Sequence, residues 1–388
     1  MAMKRRDFIE AGIGGVAALT VAQGVSRAQS ADASQIVVIG VDGSNLTVPY
    51  LDDYLKAGAT VWQYSGNTMD SDRFDEIDNF VASIPEQVTL AKSYNDILAA
   101  KQAGKVAIVA GAQDMYPLDP SWKEGIVRDN PVPVGGNNWL VKPPQTQLSY
   151  YYGRGLRIAN LAYNFSNFFG GGCLDPTTPL SYAGKYLVGQ MQDMGILVDT
   201  SHSSEQTALD IVNMATRPVV ASHSNPSALD DNPRNISDRL IEGIAKTGGL
   251  IGLNATNAFI LWSRADAPHA ETGPFPPKAS ISQFVALIDY VVRLVGIDYV
   301  GLGTDWTYGD PFSASSAASP DPATSFVYPP DMIYKALNGV SDFVANFDGV
   351  YDLPFLVSEL IRHGYSYVDI KKIMGGNWMR MFSQAWNS

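Results

Sequence analysis

Two histidines stand at matching places in the chain, each just after a short apolar run. His202 follows the run at residues 195–199, and His223 follows the run at residues 219–221, 21 residues further along. A serine precedes and follows each histidine. Imidazole is the commonest metal ligand and the side chain that exchanges protons near neutral pH. The pair therefore predicts a metal or acid–base site, whereas one such histidine alone is equally well explained as a hydrogen-bonded loop residue.

The segment between the histidines predicts how they are brought together. Ser203 and Gln206 have the spacing of a capping box at a helix N-terminus. Apolar residues at positions 208, 211, 212 and 215 give that helix one buried face. Parallel strands joined by such a helix form a right-handed unit in which both strands run the same way. We therefore expect both imidazoles at the carboxyl-terminal edge of the sheet, where α/β barrels place their chemistry.

The same alternation of strand and helix continues along the chain. Six further apolar runs are typical of buried strands, at residues 35–42, 59–63, 105–111, 156–162, 250–254 and 299–305. Helical spacing lies between them, for example at residues 72–84, 88–103 and 283–295. Eight strands alternating with helices, without an internal linker, predict an α/β fold, a single (β/α)8 TIM-type barrel over residues 31–388. Residues 116–147, rich in Pro, Gly, Trp and Asn, predict a long ordered loop over the site.

The composition is that of one large globular domain with an acidic surface. The chain has 388 residues, of which 46% are hydrophobic and 17% are charged, and its net charge is −12. Because like charges repel, an acidic chain is a poor partner for nucleic acid or for an anionic membrane surface. Cys173 is the one cysteine, which excludes an internal disulfide.

Residues 1–30 predict a twin-arginine export signal. Arg5 and Arg6 precede Phe8 and an apolar, Gly/Ala-rich run at residues 11–22, and small residues follow near position 30. The run is too short to cross a bilayer comfortably. An ordinary secretory signal and an uncleaved anchor are the alternatives. We expect a periplasmic protein that keeps no integral membrane span once the signal has been removed.

Five motifs in one order identify a family resemblance. They are VDTSHSS at 198–204, PVVASHSNPSAL at 218–229, NPRN at 232–235, YVGLGTDW at 299–306 and IMGGNWMRMF at 373–382. Together they resemble the membrane dipeptidases (renal dipeptidase-like, peptidase family M19), from about residue 36 to the end of the chain. The resemblance implies a metal-dependent-hydrolase-like barrel that binds two divalent metals, typically zinc. It also implies a homodimer.

The resemblance assigns metal ligands, and this sequence departs from the family at three of the five. His202 and His223 match two ligands, and Gln113 stands where the family has a bridging Glu. The first motif of the family, Asp-Gly-His-Asn-Asp, reads Asp-Gly-Ser-Asn-Leu here, so that Ser44 and Leu46 replace a histidine and an aspartate.

Leucine cannot bind a metal and glutamine carries no charge, so the carboxylates that neutralise two cations are missing. We expect at most one divalent metal, with zinc as the expected ion, on His202, His223 and Gln113. A site without metal is one alternative. Substitute ligation by Asp42 or Asp114 is the other.

Four more residues match site positions of the family. Asp305 stands where the family has the aspartate that handles the proton of the attacking water, and Arg234 stands where it has the arginine that binds a substrate carboxylate. Asn254 matches a site-facing position after strand seven, and Tyr163 replaces a histidine after strand four. We expect Asp305 to be catalytic and the other three to bind substrate. Each residue could instead serve only to hydrogen-bond its own loop.

The resulting prediction is an exported dipeptidase-family protein with a reduced metal site. It would act on, or bind, a small peptide or amino-acid-like ligand with a carboxylate. If it is hydrolytic, one metal on the two histidines would polarise water, Asp305 would be the base, and Arg234 would orient the substrate. Activity on ordinary dipeptides is expected to be weak or absent. The alternative is a non-hydrolytic descendant that binds a peptide-derived metabolite or assists another periplasmic enzyme in peptide natural-product maturation.

Overall fold

The chain forms a closed barrel of eight parallel strands, as predicted. The computed structural model describes residues 35–66, 71–115, 132–134, 138–140, 144–260, 278–308 and 343–386. The predicted export signal and most of the predicted loop at residues 116–147 lie outside these ranges. The barrel strands are β1 Val38–Asp42, β2 Val61–Gly66, β3 Val106–Ala112, β4 Leu156–Asn160, β5 Leu197–Asp199, β6 Val219–Ala221, β7 Leu250–Leu253 and β8 Val300–Trp306.

Each barrel strand pairs in parallel with its neighbours in chain order. The sheet runs from β2 through β1, β8, β7, β6, β5 and β4 to β3, and pairing between β2 and β3 closes it. Parallel pairing means that all eight carboxyl-terminal ends lie at one edge of the barrel. The end of β5 and the end of β6, which precede the two histidines, are adjacent there.

Helices surround the strands. They are α1 Val48–Ala57, α2 Ser71–Ser83, α3 Tyr94–Gln102, α4 Pro144–Arg154, α5 Tyr182–Met194, α6 Glu205–Met214, α7 Asp238–Lys246, α8 Ile281–Val295, α9 Leu353–Arg362, α10 Tyr367–Lys371 and α11 Asn377–Ala385. Short 3-10 turns at Asn257–Phe259, Ile297–Tyr299 and Val350–Asp352, and a π-turn at Lys372–Gly376, complete the layer. Apolar residues of α11 pack against buried residues of several strands in one cluster. No helix in the described ranges combines the length and the apolar character that crossing a membrane requires.

Two local predictions were wrong. Residues 88–103 do not form one helix, because Val88–Leu90 is a short strand that pairs with β3 and α3 begins only at Tyr94. Ser93 stops the helical pattern by capping α3, since its side chain accepts from the backbone N–H of Asp96. The cap of α6 also lies one residue later than predicted, because Ser204 rather than Ser203 accepts from a first-turn N–H.

Two glycines allow β6, β7 and β8 to approach closely near the second histidine. A Cβ atom on Gly252 would lie 2.0 Å from the carbonyl oxygen of Ser222, and one on Gly303 would lie 1.8 Å from it. Backbone N–H of Ser224 donates to the Gly252 carbonyl at 2.9 Å, which fixes the strand end on both sides of His223. The position of His223 therefore depends on Gly252 and Gly303, which have no side chains.

Gly303→Ala should lower the free energy of unfolding by about 1–3 kcal/mol or more, because the added methyl group overlaps backbone that cannot move independently. Gly189→Ala is the matched control. A Cβ there meets nothing within 4 Å, and replacing a mid-helix glycine by alanine should raise stability by roughly 0.5–1 kcal/mol. Urea denaturation of both variants measures the two effects, and equal effects would contradict the close approach.

Candidate functional site

The two predicted histidines meet at the carboxyl-terminal ends of β5 and β6. Their Nε2 atoms are 2.8 Å apart, and both side chains are buried. His202 has a positive φ of 67°, which is uncommon for a residue other than glycine. The Tyr163 ring stacks on its imidazole, with ring centroids 4.0 Å apart and an angle of 22° between the planes. Stacking and the inter-histidine bond together fix the ring of His202.

Each imidazole is also held through its second ring nitrogen. The Nδ1 atom of His202 lies 2.7 Å from the Oδ1 atom of Asn164, and that of His223 lies 2.7 Å from the Ser222 hydroxyl. The Ser222 hydroxyl in turn hydrogen-bonds the Asp199 carboxylate. Burial, reinforced by the nearby Arg234 guanidinium, holds the pKa of both imidazoles well below the usual value. Both rings are therefore neutral.

Arg234 lies against the histidine pair. Its side chain is buried, with the residue only 2% exposed, and its one hydrogen bond to a described residue runs from Nη2 to the carbonyl oxygen of His223 at 3.4 Å. The Nε and Nη1 atoms have no hydrogen-bond partner among the described residues. The guanidinium also lies over the Phe259 ring, 5.4 Å from its centroid. A buried cation with free donors is unusual, because buried polar groups are nearly always hydrogen-bonded.

Asp305 and Asn254 form the next part of the cluster, at the ends of β8 and β7. Asn254 Nδ2 donates to Asp305 Oδ2 at 3.0 Å and also faces the carbonyl oxygen of His223 at 3.4 Å. Burial raises the pKa of the Asp305 carboxyl to about 6, although Arg234 and the bond from Asn254 lower it. Asp305 has a φ of 58°, a second left-handed backbone at a strand end. Its carboxyl group can accordingly take up or release a proton near neutral pH.

Tyr163 completes the group that the structure brings together. Burial raises the pKa of its hydroxyl, with smaller effects from the charges of Asp305 and Arg234. Gln113 is buried just after β3. No hydrogen bond joins its amide to either histidine in the described part of the chain. The predicted residues His202, His223, Arg234, Asn254, Asp305 and Tyr163 thus share one neighbourhood, whereas no hydrogen bond among the described residues links Gln113 to the histidines.

At the end of β1, the buried carboxylate of Asp42 accepts hydrogen bonds on both of its oxygens. Asp42 Oδ2 accepts from the hydroxyl groups of Tyr50 and Tyr54 at 2.8 and 2.6 Å, and Oδ1 accepts from the backbone N–H of Ser44 at 2.9 Å. Burial raises the pKa of Asp42 against these hydrogen bonds. The two tyrosines were missed in the sequence, although their spacing of four residues on α1 could have placed both hydroxyls on one face.

Ser44 and Leu46, which stand at ligand positions of the family's first motif, make contacts within the fold. The Ser44 hydroxyl accepts from the backbone N–H of Tyr308 at 2.8 Å, which joins the end of β1 to the chain after β8. Leu46 is partly buried and packs against the hydrophobic core. Asp42, proposed above as a substitute ligand, has its carboxylate oxygens occupied by protein donors.

These contacts test whether a metal fits. A catalytic zinc ion is held by three protein ligands and a structural one by four. Within residues 35–386 as described, no three His, Cys, Asp or Glu side chains converge as a metal site. The two Nε2 atoms of His202 and His223 supply two ligands, with their second ring nitrogens held as metal-binding imidazoles require. Among the described residues, a metal would therefore find two imidazole nitrogens, fewer protein ligands than a zinc site uses.

A family model describes part of this barrel. The model for "Membrane dipeptidase (Peptidase family M19)" matches residues 135–316, which include both histidines, Arg234 and Asp305. The chain is a membrane-dipeptidase-like protein. Members of that family are metal-dependent and generally use zinc.

Relatives are similar in sequence to this chain, and solved structures are similar to it in fold. An uncharacterized protein in the pqqA 5′ region of Klebsiella pneumoniae is 29% identical over 62% of this chain and 76% of its own length. Dipeptidase tcpJ of Claviceps purpurea is 24% identical over 81% of this chain, which spans only 60% of that protein. The crystal structure of an amidohydrolase from Pseudomonas aeruginosa superposes with a TM-score of 0.71 at 23% identity, covering 92% of this chain and 98% of that one. Its fold is thus the fold of this dipeptidase-like barrel.

Asp305→Asn should make stability less dependent on pH. The folded-state pKa of about 6 lies above the ordinary value of 3.8, so the wild type loses stability as pH rises between these values. The asparagine variant lacks that loss. The free energy of unfolding of the wild type minus that of the variant should therefore fall from about pH 4 to about pH 6 and then level off.

Asp231→Asn, an exposed carboxylate on the loop after β6, is the matched control. Urea unfolding at a series of pH values measures all three proteins. A difference between wild type and Asp305→Asn that rises with pH, or does not change, would show that the buried carboxyl is not destabilised in its ionised form.

Proposed function

We propose that this protein binds a small peptide or amino-acid-like ligand through the ligand's carboxylate, beside the histidine pair. The observation that supports the proposal best is Arg234, a buried guanidinium whose Nε and Nη1 donors have no partner among the described residues. Burying a charge without a partner costs several kcal/mol. A ligand anion would remove that cost, and the planar guanidinium matches a carboxylate with two parallel hydrogen bonds.

The surroundings of Arg234 favour an amino-acid-like ligand over a simple anion. Asp305 stands in the same neighbourhood, with Asn254 holding one of its oxygens. A carboxylate beside an arginine offers an acceptor for an ammonium or amide N–H, while the arginine takes the acid group. Tyr163 would add an aromatic wall and one hydroxyl. Free amino acids, short peptides and their derivatives carry both groups at a short separation.

The metal site is proposed to be reduced, with at most one divalent ion and zinc as the expected metal. Three contacts support this proposal: the tyrosine bonds on Asp42, the Ser44 bond to Tyr308, and the direct bond between the two Nε2 atoms. A bound ion would have to break the inter-histidine bond and would find no third ligand among the described residues. When bound in family members, such metals activate water for attack on the peptide bond.

A non-hydrolytic role is the second candidate, and the inter-histidine bond favours it. With both imidazoles neutral and bonded to each other, neither is free to activate water. What this chain's own residues supply is a cation for the ligand acid, an oriented carboxylate at Asp305, and a buried, low-water environment. The protein would then bind a peptide-derived metabolite, or assist another enzyme in maturing a peptide natural product. Added zinc should not produce dipeptide turnover, and brisk hydrolysis would restore the plain dipeptidase interpretation.

The proposed place of action is the periplasm, reached by the twin-arginine route. The signal at residues 1–30 is the support for this location. Twin-arginine export usually carries folded proteins, which suits a large barrel without disulfides. A homodimer is proposed on the family resemblance alone. Partners other than a small ligand and a second copy, in particular nucleic acid, are not expected for a chain of net charge −12.

Arg234→Ala should remove the preference for a free carboxylate. Calorimetric titration with alanyl-alanine and with its carboxamide compares ligands that differ only at that group. The wild type should bind the acid more tightly than the amide. The variant should lose about 1.5–3 kcal/mol of binding free energy for the acid, the contribution of a charge-assisted hydrogen bond, and none for the amide. Arg234→Met repeats the test while filling the space of the side chain.

Arg239→Ala, which removes an exposed arginine from α7, controls for the change in net charge. It should leave both affinities unchanged. Equal affinity of the wild type for the acid and the amide would remove the carboxylate from the proposal.

Replacing Arg5 and Arg6 together by lysine should keep the protein in the cytoplasm, because the twin-arginine receptor reads the arginine pair itself. Cell fractionation with an antibody measures the distribution. Arg27→Lys makes the same chemical change outside the pair and should be exported normally. Normal export of the double variant would show that another route is used.

A further inference from the structure

A second cluster of titratable and nucleophilic side chains lies between α8 and α9. His363 Nδ1 is 2.8 Å from Asp289 Oδ2, and His363 Nε2 is 3.3 Å from the hydroxyl of Ser282. None of the three belongs to a strand end or to the site around the histidine pair. An acid, an imidazole and a hydroxyl in this order have the arrangement of a nucleophile, its base and the group that orients the base.

The end of α9 explains why the histidine points at the acid. Gly364 has a φ of 90°, and the backbone N–H of Tyr365 returns to the carbonyl oxygen of Leu360 at 3.1 Å. This glycine-dependent ending places His363 and Tyr365 on either side of Asp289. The Tyr365 hydroxyl donates to Asp289 Oδ1 at 2.8 Å, while His363 takes Oδ2. Both carboxylate oxygens are thus used to hold one orientation of the ring.

The proton positions follow from the partners. An ionised carboxylate can only accept, so the Nδ1 atom of His363 carries the proton that bonds Asp289. In the neutral ring the Nε2 atom is then an acceptor, as a general base must be. Ser282 faces that atom. The separation of 3.3 Å is at the loose end of the range that such pairs show before a substrate is bound.

A cation stands beside the serine oxygen. Arg362 Nη2 donates to Ser282 Oγ at 2.9 Å. The Nε atom of Arg362, at 2.9 Å, and its Nη2 atom also donate to the Glu359 carboxylate, which fixes the guanidinium. The positive charge favours the ionised form of the hydroxyl and the oxyanion of an acylation intermediate. Glu359 also competes, since its Oε1 atom is 3.4 Å from His363 Nε2 and its carboxylate accepts from Ser282. Arg362 Nη2 also lies 3.3 Å from His363 Nε2. Glu359 thus competes for the serine proton, and Arg362 competes with Ser282 for the imidazole nitrogen.

The cluster is reachable from solvent. The side chains of His363 and Asp289 are 17% and 24% exposed, and Ser282 is half-buried in the first turn of α8. A cluster that only joined two helices would not need contact with solvent, whereas a nucleophile that reacts with small molecules does.

We propose that Ser282, His363 and Asp289 form a second, metal-independent site that cleaves short-chain acyl esters. The Ser282 oxygen forms a bond to the ester carbonyl carbon as its proton passes to His363 Nε2. The bond from that carbon to the leaving oxygen then breaks, and His363 returns the proton to the departing alcohol. Water, activated in the same way, releases the acid and restores the serine. The proposal uses none of the residues assigned to carboxylate binding.

A fluorophosphonate probe tests the nucleophile directly in the full-length protein. Mass spectrometry should find the probe on Ser282, and Ser282→Ala should abolish that label together with hydrolysis of p-nitrophenyl acetate above the buffer rate. Ser282→Ala removes only one half-buried hydroxyl, so folding is preserved. Asp289→Asn should lower both rates at least tenfold, because the ring loses the partner that orients it.

Ser358→Ala is the matched control. Ser358 is a half-buried serine of α9 whose hydroxyl donates to the Pro354 carbonyl, and no hydrogen bond among the described residues joins it to a histidine. Its replacement should change neither rate. Absence of label on Ser282, or an Asp289→Asn variant that reacts as fast as the wild type, would overturn the proposal and leave the cluster as a helix-to-helix clamp.

Discussion

The hydrogen bond between the Nε2 atoms of His202 and His223 is the interaction around which the barrel mouth is arranged. It exists because β5 and β6 are adjacent and parallel and end at the same edge. Burial and Arg234 disfavour the imidazolium, so both rings are neutral. Asn164 and Ser222 fix the outer nitrogens. The same support that would present two imidazoles to a metal here presents them to each other.

Arg234 is placed beside this histidine pair. The guanidinium lies against the neutral histidines, bonded to the carbonyl oxygen of His223. Its remaining donors face a neighbourhood with one partly ionised carboxyl, Asp305. A site of this kind attracts an anion, and its geometry prefers one with two coplanar oxygens. The proposed carboxylate ligand thus follows from the same burial that keeps the histidines neutral.

Much of this arrangement could be predicted from the sequence, and what was missed was missed for physical reasons. Apolar runs of strand length identified all eight barrel strands, and topology alone placed both histidines at one edge. That Leu46 cannot bind a metal follows from its chemical type, which needs no coordinates. The use of Asp42 by Tyr50 and Tyr54 could not be foreseen, because it depends on how α1 packs over β1. The depth of Arg234 was also missed, since a loop position in sequence says nothing of burial. The strand at Val88–Leu90 was hidden because three residues are too few to show a period.

Zinc content of the purified, full-length protein tests the central claim most directly. After dialysis against zinc and then against buffer, elemental analysis should find at most one ion per chain. The combined variant Ser44→His, Leu46→Asp and Gln113→Glu should bind more, because it restores the ligands and the carboxylate charge that hold two cations together. Tyr163→His can be added to the variant to restore the fourth altered position. Two tightly bound zinc ions in the wild type would contradict the account, since other residues would then have to replace the family ligands missing at Ser44, Leu46 and Gln113.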